Sequence, residues 1–164
     1  VSGDRAALKK TISYTMVTGQ IILLAGALGI VFVAPPLLSL IKSSTQLPSI
    51  TICVLYILIM SLELNHSECA SVISTDNRVP YVVPSLVSGG VIVAMTFVVL
   101  RFTTLGLLGV VLVQGIVQAA YNNWRWPLWV FRELNMSVGE FYRTGIVSLY
   151  QSVSSLWKSM LKRA

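Results

Sequence analysis

Residues 11–41, 79–100 and 102–124 contain no charged side chain, and residues 49–62 contain none before Glu63. A helix that crosses the hydrocarbon core of a bilayer needs about 20 mostly apolar residues. Runs of that length have no place on the surface of a water-soluble domain of this size. Composition agrees: 55% of the 164 residues are hydrophobic and 11% are charged, against about 25% charged in a soluble domain. Mean hydropathy is +0.78. The expected fold is an all-α membrane protein with about four transmembrane helices and a C-terminal amphipathic interfacial helix. The spans are placed at about 13–34, 49–73, 79–100 and 102–124, within a bundle covering residues 1–135, and the tail helix falls in 136–164. The pair Pro35-Pro36 is expected to end the first span, because proline disfavours helix before and at its own position. The third and fourth spans form a hairpin that turns near Phe102-Thr103-Thr104.

The net charge of +6 reports sidedness here, not nucleic-acid binding, because basic residues accumulate in cytoplasmic loops. With four spans, Arg5, Lys9, Lys10, Arg78, Arg125, Arg132, Arg143, Lys158, Lys162 and Arg163 share one side. Only Lys42 and Arg101 lie on the other. Both termini are therefore expected in the cytoplasm. Cys53 and Cys69 are sixteen residues apart on one helix, about 24 Å at 1.5 Å per residue, so they are expected as free thiols. The sequons at Asn65 and Asn135 fall in a span and in a cytoplasmic segment. The chain opens at Val1 on a polar run without a leader-peptide pattern.

Gly19, Gly26, Gly29, Gly89, Gly90, Gly106, Gly109 and Gly115 punctuate the spans. Membrane helices approach closely through small residues, so these glycines are read as packing seams, the alternative being positions that let helices bend during transport. Trp124, Arg125, Trp126 and Trp129 leave the fourth span in one cluster suited to the headgroup region as interfacial anchors. Ser137-Val138-Gly139-Glu140 is a capping box. The fourteen uncharged residues 144–157 behind it are too few for a span, so this helix is expected to lie on the membrane surface.

No phosphate-binding loop, nucleophile elbow or Cys-x-x-Cys pair is present, and a single histidine makes a metal site or cofactor unexpected. Nothing points to an enzyme. The chemistry-bearing set is Glu63, Asn65, His66 and Glu68 in the second span. Ionisable groups at membrane depth are costly and normally face a bundle interior or a wet cavity. Glu63 and His66 are three apart and share a helix face, whereas Glu68 points elsewhere. Two readings stay open at this point. The set either reaches the cytoplasmic interface and is simply wetted, or it lines a cavity where protonation couples to opening and closing.

The ordered features Gly3-Asp4, Leu8-Lys9-Lys10, Pro35-Pro36-Leu37-Leu38, Asn77-Arg78-Val79-Pro80, the run Gly109 to Gly115 and Asn123-Trp124-Arg125-Trp126-Pro127-Leu128 resemble the C-terminal third of polysaccharide flippases. These belong to the multidrug/oligosaccharidyl-lipid/polysaccharide export superfamily, and the likeness is strongest to O-antigen and other lipid-linked oligosaccharide translocases. The resemblance implies a two-lobed bundle of about a dozen helices in the bacterial inner membrane. Such a bundle moves undecaprenyl-pyrophosphate-linked oligosaccharide for polysaccharide biosynthesis. It also implies partner helices N-terminal to this chain, and transfers no pyrophosphate-binding residue to it. The alternatives are an ion-coupled multidrug antiporter of the same superfamily, or a small four-helix membrane scaffold protein.

Overall fold

A computed structural model describes residues 5–161 apart from Asp76 and Arg78. The expectations placed on Gly3-Asp4, Arg78, Lys162 and Arg163 lie outside the described residues. The protein is an all-α membrane protein: the described residues form helices with no strand, and three helices are long and apolar enough to cross a membrane.

Helix α1 (Arg5–Leu28) runs through a π-helical turn, Gly29–Val33, into α2 (Ala34–Leu40). The result is one continuous 36-residue helical rod. The double proline therefore does not end the first span, as the sequence had led us to expect. A ring at positions 35 and 36 removes two N–H donors and crowds the preceding turn. The wide turn absorbs this misfit, with Ala34 donating to the Gly29 carbonyl five residues back. The rod ends instead at Lys42, whose φ of 51° is left-handed. Lys42 N–H donates to the Ser39 carbonyl and Ser43 N–H to that of Leu38, the paired bonds of a Schellman cap.

Helix α3 (Ile50–Ser74) follows Pro48 and is closed by Asn77, also at positive φ. Helix α4 (Val82–Phe102) stops where the Thr103 hydroxyl bonds the Val99 carbonyl. The expected fourth span is divided. Helix α5 (Gly106–Ala120) breaks at Tyr121, whose φ of −145° and ψ of −57° leave helical space, and α6 (Asn122–Glu133) continues with Pro127 inside it. Fifteen residues reach on the order of 22 Å, short of the hydrocarbon core. Helices α5 and α6 both pack on α3. Asn135 at φ 49° then forms a second Schellman cap, through Asn135 N–H to Arg132 and Met136 N–H to Phe131. Ser137 Oγ accepts from Glu140 N–H at 3.1 Å and starts α7 (Val138–Leu161), the serine half of the expected capping box.

The helices stand in a row of neighbours, α7 against α1, α1 against α3, α3 against α5 and α6, and α5 against α4. One end holds a packed core of Ile12, Met16, Cys69, Ile73, Trp126, Val130, Leu134, Met136 and Phe141. Elsewhere most large apolar side chains point outward, as at Phe32 and Val93, which are 69% and 72% exposed. Such a surface fits hydrocarbon, not water. Arg5, Lys9 and Lys10 belong to the packed end, where Lys9 Nζ reaches the Asn135 carbonyl at 3.4 Å. Lys42 and Arg101 close helices at the opposite end.

Close approaches occur at four glycines. A Cβ on Gly19 would touch Leu64, on Gly109 Val99, on Gly115 Ile59, and on Gly145 the Ser13 carbonyl and Val17. Gly26, Gly29, Gly89, Gly90 and Gly106 face open space, so they form no seam within this chain. Gly145, where α7 crosses α1, has the tightest approach to backbone, although the sequence reading passed over it.

Candidate functional site

Glu63 and His66 sit on the face of α3 turned toward α5 and α6. Their side chains are 19% and 14% exposed, and His66 Nδ1 lies 3.5 Å from Glu63 Oε2. That separation suits an ion pair when the imidazole is protonated, without the alignment of a hydrogen bond. The one-turn spacing that brings them together comes directly from the helical repeat.

Gln118 on α5 donates from Nε2 to Glu63 Oε2 at 3.3 Å. Its own Oε1 accepts from Asn122 Nδ2 at 2.7 Å. The same Asn122 amide also donates to Ser88 Oγ on α4 at 3.0 Å. Asn122 Oδ1 accepts from Trp126 Nε1 at 3.1 Å. A continuous polar string thus runs from His66 through Glu63, Gln118 and Asn122 to α4 and to the core indole. Asn122 is almost wholly buried and uses both donors and its carbonyl, so the string is satisfied where it is deepest. In a dry environment such bonds gain strength, and an unmatched group is costly. Glu63 Oε1 is such a group: it is buried with no hydrogen-bond partner among the described residues. A proton, a water or a substrate hydroxyl is the chemistry that would satisfy it.

Asn65 points the other way, toward α1. Gln20 Nε2 donates to Asn65 Oδ1 and to the Ser61 carbonyl, each at 2.8 Å, and Gln20 Oε1 accepts from Ser61 Oγ at 2.8 Å. Asn65 is therefore glue between α1 and α3, apart from the Glu63–His66 pair. Glu68 enters neither group. It makes no hydrogen bond or ion pair among the described residues and stands beside buried Cys69. Cys53 and Cys69 are both free.

The four anchors expected at the headgroup level are not equivalent. Trp124 is exposed, donates to the Ala120 carbonyl and meets the Tyr121 ring edge-on. Arg125 lies 5.9 Å from the ring of half-buried Trp129. Trp126, in contrast, is 2% exposed and packs edge-on against Tyr81 and Tyr121. It is a core residue, placed there because the break at Tyr121 rotates α6 onto α3.

Gln20, Ser61, Ser88, Gln118 and Asn122 were missed by a search for ionisable groups. The signal was present in the four-residue spacing of Gln118, Asn122 and Trp126, which aligns them on one helix face. No family model, curated protein or solved structure matches the chain.

Proposed function

We propose that this chain is the C-terminal segment of a transporter that moves lipid-linked oligosaccharide across the bacterial inner membrane, with both termini cytoplasmic and Glu63 and His66 as its proton-coupling pair. One observation carries the coupling role: a half-buried carboxylate and imidazole on α3 whose hydrogen-bond chain reaches α5, α6 and α4. Protonating Glu63 removes the charge that Gln118 and His66 serve, which weakens the tie between α3 and α5. Deprotonation restores it. A site whose charge state sets the grip between neighbouring helices is what alternating access requires.

The substrate class rests on the ordered sequence features described above. A lipid pyrophosphate is anionic, so Glu63 does not hold it; the unpaired Oε1 is suited to a sugar hydroxyl or a proton. The remainder of the two-lobed bundle is supplied by helices outside this chain.

The test is glycan export in cells carrying the full-length protein, with matched expression of wild type, Glu63→Gln and His66→Ala. Loss of surface glycan with unchanged membrane abundance supports the reading. Wild-type export in both variants overturns the coupling role. Normal glycan export in cells from which the protein has been deleted overturns the substrate class.

A further inference from the structure

Where α7 crosses α1, the two helices enclose an open groove of about 460 Å³, lined by Lys10, Glu140, Arg143, Thr144, Val147 and Gln151 among others. We propose that this groove binds the phosphate group of an anionic phospholipid. It lies apart from the Glu63–His66 pair, and the proposal does not depend on the transport reading.

Three observations converge on it. The first is charge. Lys10 and Arg143 are both exposed, Arg143 makes no hydrogen bond or ion pair among the described residues, and Lys10 Nζ is held only by Gln151 Oε1 at 3.4 Å. The single acid in the groove, Glu140, offsets one of the two cations, and Lys9 stands beside Lys10 in the chain. The groove is net positive.

The second is depth. Lys10 is the last charged residue before the uncharged run 11–41, and Arg143 the last before the uncharged run 144–157. Lys10 thus stands at the polar end of the apolar rod, and Arg143 lines the same groove from α7. That end is the level of lipid phosphates.

The third is the rim. Ile146, Val147 and Tyr150 on α7 are exposed, Tyr150 by 75%, so an apolar surface for acyl chains adjoins the phosphate position. A free phosphate has no use for that surface, and a phospholipid does. Basic pockets between membrane helices at this depth have the chemistry for anionic headgroups.

The experiment is native mass spectrometry of the full chain released from neutral detergent, with phosphatidylglycerol or phosphatidylcholine added. Phosphatidylglycerol should be retained in preference to phosphatidylcholine. The double variant Lys10→Gln, Arg143→Gln should weaken that retention roughly thirtyfold, and Glu140→Gln should tighten it roughly fivefold. Both changes are on exposed side chains, and circular dichroism checks that helicity is unchanged. Equal retention of the two lipids, or no effect of the double variant, overturns the proposal. Displacement of the lipid by an equal concentration of glycerol phosphate also overturns it, because the site would then recognise a free phosphate.

Discussion

Gln118 donates to Glu63 Oε2 at 3.3 Å while its carbonyl accepts from Asn122 at 2.7 Å. One amide thus couples the charge of α3 to the kinked junction of α5 and α6, and the predictions about function begin there.

Glu63→Gln keeps an acceptor for Gln118 but abolishes the charge beside His66. Export by the full-length protein should fall at least tenfold, the effect of losing about 1.4 kcal/mol of coupling, with normal membrane abundance. Glu68→Gln, on a side chain outside the polar string, should leave export within twofold. Equal losses in the two variants would remove any special role for the pair.

Asn122→Leu strips partners from Trp126 Nε1, Ser88 Oγ and Gln118 Oε1 at a site that is 1% exposed. Leaving buried donors and acceptors unmatched costs about 1–3 kcal/mol. Thermal unfolding in detergent, followed by tryptophan fluorescence, should shift down accordingly. An unchanged midpoint would mean that the string is ornamental to stability.

Alanine at two glycines should act with opposite signs. On Gly145 the new Cβ meets the Ser13 carbonyl, backbone that cannot step aside, so Gly145→Ala should destabilise the α1–α7 crossing by about 1–3 kcal/mol. On Gly89 nothing lies nearby, and Gly89→Ala should be neutral or stabilise α4 by up to about 1 kcal/mol. Unfolding midpoints and protease cleavage within α7 report both, and a destabilised Gly89→Ala protein would reveal a neighbour outside this chain.

Reporter fusions test the membrane orientation. The contact of Lys9 with the Asn135 carbonyl puts those residues at one end of the bundle, and Lys42 and Arg101 cap helices at the other. A reporter active only in the periplasm should be on at Lys42 and Arg101 and off at Asn77 and Asn135. Activity at Asn135 would mean that α5 and α6 do not complete a crossing.

The helices expected for the second and third spans were legible to within three residues, because a long apolar run leaves little else for the backbone to do: 49–73 became Ile50–Ser74, and 79–100 became Val82–Phe102. Pro35-Pro36 misled because single-residue preferences do not register a π turn upstream that makes room for both rings. The division at Tyr121 was invisible for a related reason, since residues 102–124 carry no charge and a break in φ leaves no mark on hydropathy. Glu63 and His66 could be found by charge alone. Their partners could not, because Gln118 and Asn122 are neutral and their importance lies in spacing and in what α3 brings to meet them. Trp126 was placed at the interface by residue type, and only the packing of α6 on α3 shows that it is interior.

Helix α1 meets the turn before α7 and α7 itself across 126 and 141 positions in sequence, through Lys9 with Asn135 and Lys10 with Gln151. At roughly 5–20 residues per second during synthesis, α1 waits on the order of ten seconds before α7 exists. Throughout that interval Ser13 and Val17, which Gly145 approaches in the finished fold, lack that cover. Assembly of this bundle is therefore a matter of timing as well as of contacts.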